Sequence, residues 1–206
     1  TSITVVLGHG ADAVRAEVEA ADVRCVIQEP QLGTGHALLQ AKPALEGASG
    51  RVLLLSGDVP LLTAASVARV LDVQRARQAA VVVATAEVPD PTGYGRMIRE
   101  SGALVRIVEH RDATAAEREV REINSGVYVF ELAPLFAALA RLGSSNAQGE
   151  YYLPDLVDIN RRDGRVVEAV KLDDADEIRG INTRAELAEV GRVLQGRINA
   201  RHMAEG

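Results

Sequence analysis

The sequence has a single cysteine in 206 residues, no tryptophan, and aromatic side chains at only 3%. A lone thiol, Cys25, can close no internal disulfide and build no multi-thiolate zinc site, which agrees with a reducing compartment. With so few aromatic rings there is little surface on which bases could stack. A net charge of -6 and an isoelectric point near 5.3 remove the basic face that general nucleic-acid binding needs. The one basic cluster, Arg161, Arg162 and Arg165, is interrupted by Asp163 and reads as a solvated helix end. The longest apolar run, around residues 52–55, falls far short of the roughly 18 residues of a membrane span. No basic, apolar, small-residue leader opens the chain. The expected setting is the cytoplasm, without nucleic acid or membrane as partner.

What is present is the composition of a soluble globular protein, 47% hydrophobic and 25% charged, in a length that suits one domain or one and a half. Apolar, β-branched runs at residues 3–7, 23–27, 52–55 and 80–84 alternate with helical spacing of Ala, Leu and Val at 12–20, 36–45 and 64–78. That alternation predicts a doubly wound α/β unit with a largely parallel sheet, and Thr63 is placed to cap the third helix. After Pro89, residues 96–100 and 104–109 flank a Ser101-Gly102 turn and predict a hairpin, so the sheet becomes mixed. Further helices are expected at 114–122, 133–142 and 153–161, with strands at 127–131 and 166–172. A final helix from Thr183 to about Ala204 carries a stripe of Leu187, Val190, Val193, Leu194 and Ile198. Residues 1–182 are therefore expected as one α/β domain and 183–206 as a long connecting helix.

Several segments could carry chemistry. Gly8-His9-Gly10-Ala11-Asp12-Ala13 matches a variant of the dinucleotide fingerprint, with Glu29 at a suitable distance, yet turn geometry alone produces such patterns. Residues 28–37 (QEPQLGTGHA) run from a strand end into a helix, where α/β sheets bind ligands. There Gly33 and Gly35 would let the backbone approach a ligand and Thr34 offers a hydroxyl. Gln28 and Gln31 carry donor and acceptor pairs that match a base edge. The alternative is an ordinary loop with a helix cap. Asp58 follows the apolar strand directly, in the position of a magnesium ligand or of a cap for the next helix. No G-x-S-x-G, Walker A or H-E-x-x-H motif occurs, and His9, His36, His110 and His202 form no pair at metal-ligand spacing.

Taken in order, QEPQLGTGHA (28–37), GDVPL (57–61), DPTGYGR (90–96), Val108-Glu109-His110 with Asp112-Ala113-Thr114, Glu122-Ile123-Asn124, NAQGEYY (146–152) and Gly180-Ile181-Asn182 resemble the pyrophosphorylase domain of bacterial N-acetylglucosamine-1-phosphate uridyltransferases. The resemblance implies a Rossmann-like nucleotidyltransferase fold. Its sheet would be mixed but mostly parallel, with helices on both faces and an inserted hairpin. It implies transfer of uridylyl from UTP to N-acetylglucosamine 1-phosphate, giving UDP-N-acetylglucosamine and pyrophosphate for peptidoglycan and lipopolysaccharide precursors. By the same resemblance Gln28, Gln31, Gly33 and Thr34 would hold the uracil, and Asp58 and Asn182 would hold Mg2+ at the catalytic centre. Gly95, Glu109 and Asn124 would read the sugar, with Asn182 also touching substrate.

The family's first strand and its glycine-rich loop, with the Arg and Lys that cradle the triphosphate, would lie before Thr1. Its acetyltransferase β-helix would follow Gly206, and a homotrimer is expected only with that part. Two other readings stay open at this point: a non-catalytic fragment that binds sugar nucleotides, and another sugar-1-phosphate nucleotidyltransferase. An oxidoreductase using Gly8, Gly10 and Ala13 is the least favoured.

Overall fold

The computed structural model describes residues 2–206. Its centre is set by two strands, β4 (Val81–Glu87) and β7 (Glu122–Glu131), which pair antiparallel along nearly their full lengths. β4 is buried from Val81 to Ala86, as a continuous apolar run demands when both faces are covered. Alternate residues then face opposite layers. Val81, Val83, Tyr128 and Phe130 join Leu135, Leu139, Leu153 and Leu156 on one side, and Val82, Ala84, Val127 and Val129 join Val70 and Ile178 on the other. The first layer is built by α6 (Leu132–Leu139) and α7 (Asp155–Arg162), the second by α4 (Ala64–Arg77) and a 3-10 turn at Ala175–Ile178.

Around that centre lie β3 (Arg51–Leu54) antiparallel to the end of β7, β8 (Val167–Lys171) parallel to β4, and the hairpin β5 (Arg96–Glu100) and β6 (Ala103–Val108) beyond the start of β7. β3, β4, β5 and β8 all run one way, with β6 and β7 reversed. The mixed sheet is as expected. The neighbour pairings are less parallel than the apolar runs alone predict, because β7 inserts between β3 and β4. β1 (Ile3–Leu7) and β2 (Val23–Ile27) form a separate parallel pair, with α1 (Ala11–Val18) leading from one to the other.

The local signals hold where they are strongest. Thr63 caps α4, its hydroxyl accepting from the Ser66 N–H. Ser101 and Gly102 both take positive φ, 50° and 83°, as a tight two-residue hairpin turn requires. Residues 36–45 split into α2 (Thr34–Gln40) and α3 (Lys42–Leu45), with Pro43 admitted in the first turn of the second. The helix expected over 114–122 shrinks to α5 (Ala115–Arg118), closed by a Thr114–Glu117 capping box, and Glu122 already belongs to β7. The terminal helix α8 (Arg184–Glu205) starts from a second capping box, Thr183 with Glu186. Arg162 and Arg165 of the basic cluster are engaged by Asp158 and Asp163. Among the described residues no helix is long and apolar enough to cross a membrane.

β7 is not regular. Its pairing with β4 shifts register between Val83 and Thr85, opposite the Asn124-Ser125-Gly126 step. The Ser125 hydroxyl repairs the gap by donating to the Ala84 carbonyl at 2.7 Å and accepting from the Val127 N–H at 3.0 Å. Gly126 has φ 77°, and a Cβ there would lie 2.5 Å from Ser56 Oγ. The irregularity therefore lets Ser56, just past the end of β3, lie against Gly126, its hydroxyl donating to the Gly126 carbonyl at 3.3 Å.

Candidate active site

The residues that the sequence singles out fall into three clusters, each drawn from loops and strand ends distant in sequence. The first cluster is the floor formed by Gly95, Glu109 and Asn124. A Cβ on Gly95 would lie 3.3 Å from Glu109 Oε1 and 3.4 Å from Asn124 Cβ, and the Asn124 N–H donates to the Gly95 carbonyl at 2.9 Å. A Cβ there would make this approach tight, and Ile107, Glu109 or Asn124 would have to give way by a few tenths of an ångström. Asn124 Oδ1 already accepts from the Gly126 N–H and the Tyr128 hydroxyl, which leaves its Nδ2 donors for a ligand. The Glu109 carboxylate has no hydrogen-bonding or ionic partner among the described residues. Burial pushes its pKa up, as do the neighbouring Asp155, Asp112 and Glu150, and Arg96 opposes them only in part. A partly desolvated carboxylate without a partner is unfavourable in the free protein, and hydroxyl donors from a ligand would relieve it. Beside Glu109, a cavity of about 340 Å3 opens between Glu109, Asp112, Asn146, Tyr152 and Asp155, and neither Gly95 nor Asn124 lines it.

The second cluster lies at the C-terminal end of β3. Asp58 caps no helix, because that task falls to Thr63. Its carbonyl accepts from the Ile181 N–H at 3.0 Å, and this bond brings residues 180–182 alongside. A Cβ on Gly180 would lie 3.2 Å from Asp58 Oδ2 and 3.8 Å from Asn182 Nδ2. The two side chains thus flank one glycine, 124 positions apart in sequence for the pair Asp58 and Asn182. A carboxylate and a carboxamide oxygen are hard ligands of the kind magnesium takes while keeping water and phosphate in the rest of its shell. Among the described residues no group of three His, Cys, Asp or Glu forms a metal cage.

The third cluster adds a packing role to the glycines in 28–37. Gly33 and Gly35 approach another protein segment: a Cβ on Gly33 would lie 2.8 Å from Glu150 Cβ, and one on Gly35 would lie 2.9 Å from the Tyr151 carbonyl. The two segments are laced by Gly35 N–H to Tyr151 O and Tyr151 N–H to Leu32 O, both 2.8 Å. The Thr34 hydroxyl accepts from the Leu153 N–H at 3.1 Å, which leaves its proton to donate. Gln28 Nε2 is spent on the Gly33 carbonyl and on His36 Nδ1, so the free hydrogen-bonding atom of Gln28 is its Oε1 acceptor. Gln31 reaches back instead, its amide 3.0 Å from where a Cβ on Gly8 would be. Of the glycines of the would-be dinucleotide fingerprint, Gly8 therefore packs against this turn, while Gly10 takes the left-handed region at the start of α1.

A family model described as a MobA-like NTP transferase domain matches residues 1–146, well over half of the chain. The chain belongs to the MobA-like NTP transferase family. As a member of it, this protein carries a nucleotidyltransferase domain. It is 47% identical over 205 residues to the "Bifunctional protein GlmU" of Halalkalibacterium halodurans, covering 99% of this chain and 45% of that one. It is 48% identical to that of Brevibacillus brevis, covering 99% and 44%. The chain thus spans just under half the length of these relatives. In fold it is similar to a putative glucose-1-phosphate thymidylyltransferase from Bacillus anthracis, with a TM-score of 0.72 at 15% identity over 93% of this chain and 75% of that one. It is similar also to a UDP-glucose pyrophosphorylase complexed with UDP-glucose, with a TM-score of 0.68 at 16% identity over 94% and 80%. These likenesses establish the nucleotidyltransferase fold.

Sequence reasoning passed over three residues that this family member uses to hold the site together. Arg96 is 1% exposed, with its guanidinium donating to the Tyr94 and Arg118 carbonyls and to His110 Nδ1. Asp112 and Tyr152 share a hydrogen bond of 3.1 Å across 40 positions. All three sit inside motifs already singled out; burial distinguishes Arg96 and Tyr152 from their neighbours, and Asp112, itself exposed, is distinguished by its hydrogen bonds.

Proposed function

We propose that this chain transfers a uridylyl group from UTP to N-acetylglucosamine 1-phosphate, forming UDP-N-acetylglucosamine and pyrophosphate. The observation that carries the reading is the Gly95–Glu109–Asn124 floor, where a carboxylate without a protein partner meets free amide donors beside a glycine. Acceptor and donor side by side suit the hydroxyls and N-acetyl group of an amino sugar. The sugar-phosphate oxygen attacks the α-phosphorus, the bond to the bridging oxygen of the leaving pyrophosphate breaks, and no covalent enzyme intermediate is needed. The protein's work is then to align two anions in line. Glu109 and Asn124 fix the acceptor, and Gln28 Oε1 with the Thr34 hydroxyl offers an acceptor and a donor to the uracil edge. Asp58 and Asn182 would hold magnesium, which supplies positive charge against the phosphates.

The motif resemblance and the GlmU relatives support N-acetylglucosamine 1-phosphate as the acceptor and a role in cell-wall precursor synthesis in the cytoplasm. A second reading, another sugar 1-phosphate, rests on the fold neighbours named for glucose 1-phosphate and UDP-glucose. A pyrophosphate-release assay on the intact protein with UTP, magnesium and a panel of sugar 1-phosphates separates them. Preference for N-acetylglucosamine 1-phosphate over glucose 1-phosphate by at least about tenfold in kcat/KM, roughly 1.4 kcal/mol, supports the first reading. The reverse preference establishes the second, and release with none of them leaves a binding fragment.

A further inference from the structure

Asp112 stands one turn beyond the end of β6. Its N–H and that of Ala113 both donate to the Glu109 carbonyl at 3.0 Å, so Asp112 and Glu109 belong to one rigid turn. Its side chain holds a different segment: Oδ1 accepts from the Ala147 N–H at 2.9 Å and Oδ2 from the Tyr152 hydroxyl at 3.1 Å. Burial and this contact with Asp112 push the Tyr152 hydroxyl up to about 12, so it stays a donor at neutral pH. The held segment is closed on itself, with Asn146 Oδ1 accepting from the Gln148 and Glu150 N–H groups. Through Tyr151 and Leu153 it grips residues 32–35.

We infer that Asp112 is a positioning residue for the acceptor sugar, fixing the turn that carries Glu109 to the 146–152 loop so that Glu109 is held in place toward the ligand. The inference rests on the proposed reading of Glu109 as the group that meets the sugar. Glu109, Glu150, Asp155 and Asp112 all bear on one small region and repel one another. Without a tie, that repulsion favours withdrawal of the loop and widening of the cavity. The two hydrogen bonds to Asp112 oppose it, and each is charge-assisted. The nucleotide end shares this loop through Tyr151 and Leu153 but has fixings of its own as well, from Gln28 to Gly33 and His36, so it depends on Asp112 less than the sugar end does.

The test is binding of N-acetylglucosamine 1-phosphate and of UTP by calorimetry to the intact protein, in wild type and in Asp112→Ala, Asp112→Asn and Tyr152→Phe. Amide hydrogen exchange over residues 144–152 is measured alongside. Asp112→Ala should weaken the sugar phosphate at least about tenfold, leave UTP within about twofold, and speed exchange at Ala147. Asp112→Asn keeps an acceptor for Ala147 and a polar partner for Tyr152, so it should stay within about threefold of wild type. Tyr152→Phe should fall between the two, and it carries the test if Asp112→Ala does not fold. Unchanged sugar binding in a variant whose exchange has risen would overturn the inference, as would equal losses for both ligands or an Asn variant as weak as Ala. If the wild type binds neither ligand, the proposed function itself falls and the inference with it. If it binds both and the variants do not differ, the inference alone falls.

Discussion

Replacing Gly35 by Ala sets two local effects against each other. Gly35 lies in the first turn of α2, and alanine there gains helix propensity worth about 1 kcal/mol. The added Cβ, however, would sit 2.5 Å from Leu142 Cδ1 and 2.9 Å from the Tyr151 carbonyl oxygen. Leu142 can rotate aside, but the carbonyl is backbone, held at that distance by the 2.8 Å bond from the Gly35 N–H itself. Relief therefore means parting the two segments, at about 1–3 kcal/mol for overpacking and about 0.5–1.5 kcal/mol for the strained hydrogen bond. Cost exceeds gain by about 0.5–3.5 kcal/mol, and the melting temperature should fall by about 1–14 °C at the roughly 2–4 °C per kcal/mol expected for a chain of this size. The control is Gly191→Ala in α8, another helical glycine with ordinary φ, where a Cβ meets nothing within 4 Å. There propensity acts alone and stability should rise by about 0.5–1 kcal/mol. Thermal unfolding of the two variants side by side gives opposite signs on this reasoning. A Gly35→Ala protein that melts at or above wild type would show that the 28–37 and 146–152 segments are not locked together.

Three further outcomes follow from the same geometry. Asp58→Ala should abolish magnesium-dependent pyrophosphate release while shifting the melting temperature by no more than about 2 °C, since its exposed side chain supports no packing; near-normal turnover at saturating magnesium would contradict it. Glu109→Gln should weaken sugar-phosphate binding yet stabilise the fold at neutral pH. The folded protein holds the Glu109 proton to higher pH than the unfolded chain, so its ionisation penalises folding above the raised pKa. The variant's advantage in urea melts should shrink as pH falls toward the ordinary carboxylate range, and an advantage that grows on acidification reverses the sign. Ser125→Ala orphans the buried Val127 N–H and Ala84 carbonyl at the β7 irregularity and should cost about 1–3 kcal/mol in chemical unfolding; a neutral effect would show that the ladder closes without the hydroxyl.

The strands were legible because their apolar runs are continuous and β-branched: residues 3–7 and 23–27 match β1 and β2 end for end. β7 was read five residues too short. Its first half, Glu-Ile-Asn-Ser-Gly, is polar because it carries site residues and a register shift, so the pattern that marks a buried strand is broken where the function lies. The insertion of β7 between β3 and β4 leaves no local trace either, since pairing partners are chosen by tertiary packing. The glycines of LGTG were noticed for the right reason, close backbone approach, but sequence could not say that the approaching surface is residues 150–151. Asp58 with Asn182, and Gly95 with Glu109 and Asn124, are brought together as the motif resemblance implied, each pair from segments that hold no local signal of the other.

In the proposed reading the Glu109 carboxylate, without a partner among the described residues, reads the sugar while Asp58 and Asn182 serve the phosphates. A crystal structure of the intact protein with UDP-N-acetylglucosamine and magnesium tests it most directly. It should show a Glu109 oxygen within about 2.6–3.2 Å of a sugar hydroxyl, Asn124 Nδ2 on a sugar oxygen, and Asp58 at the metal beside the diphosphate. A sugar seated away from Gly95, with Glu109 still facing only solvent, would contradict it.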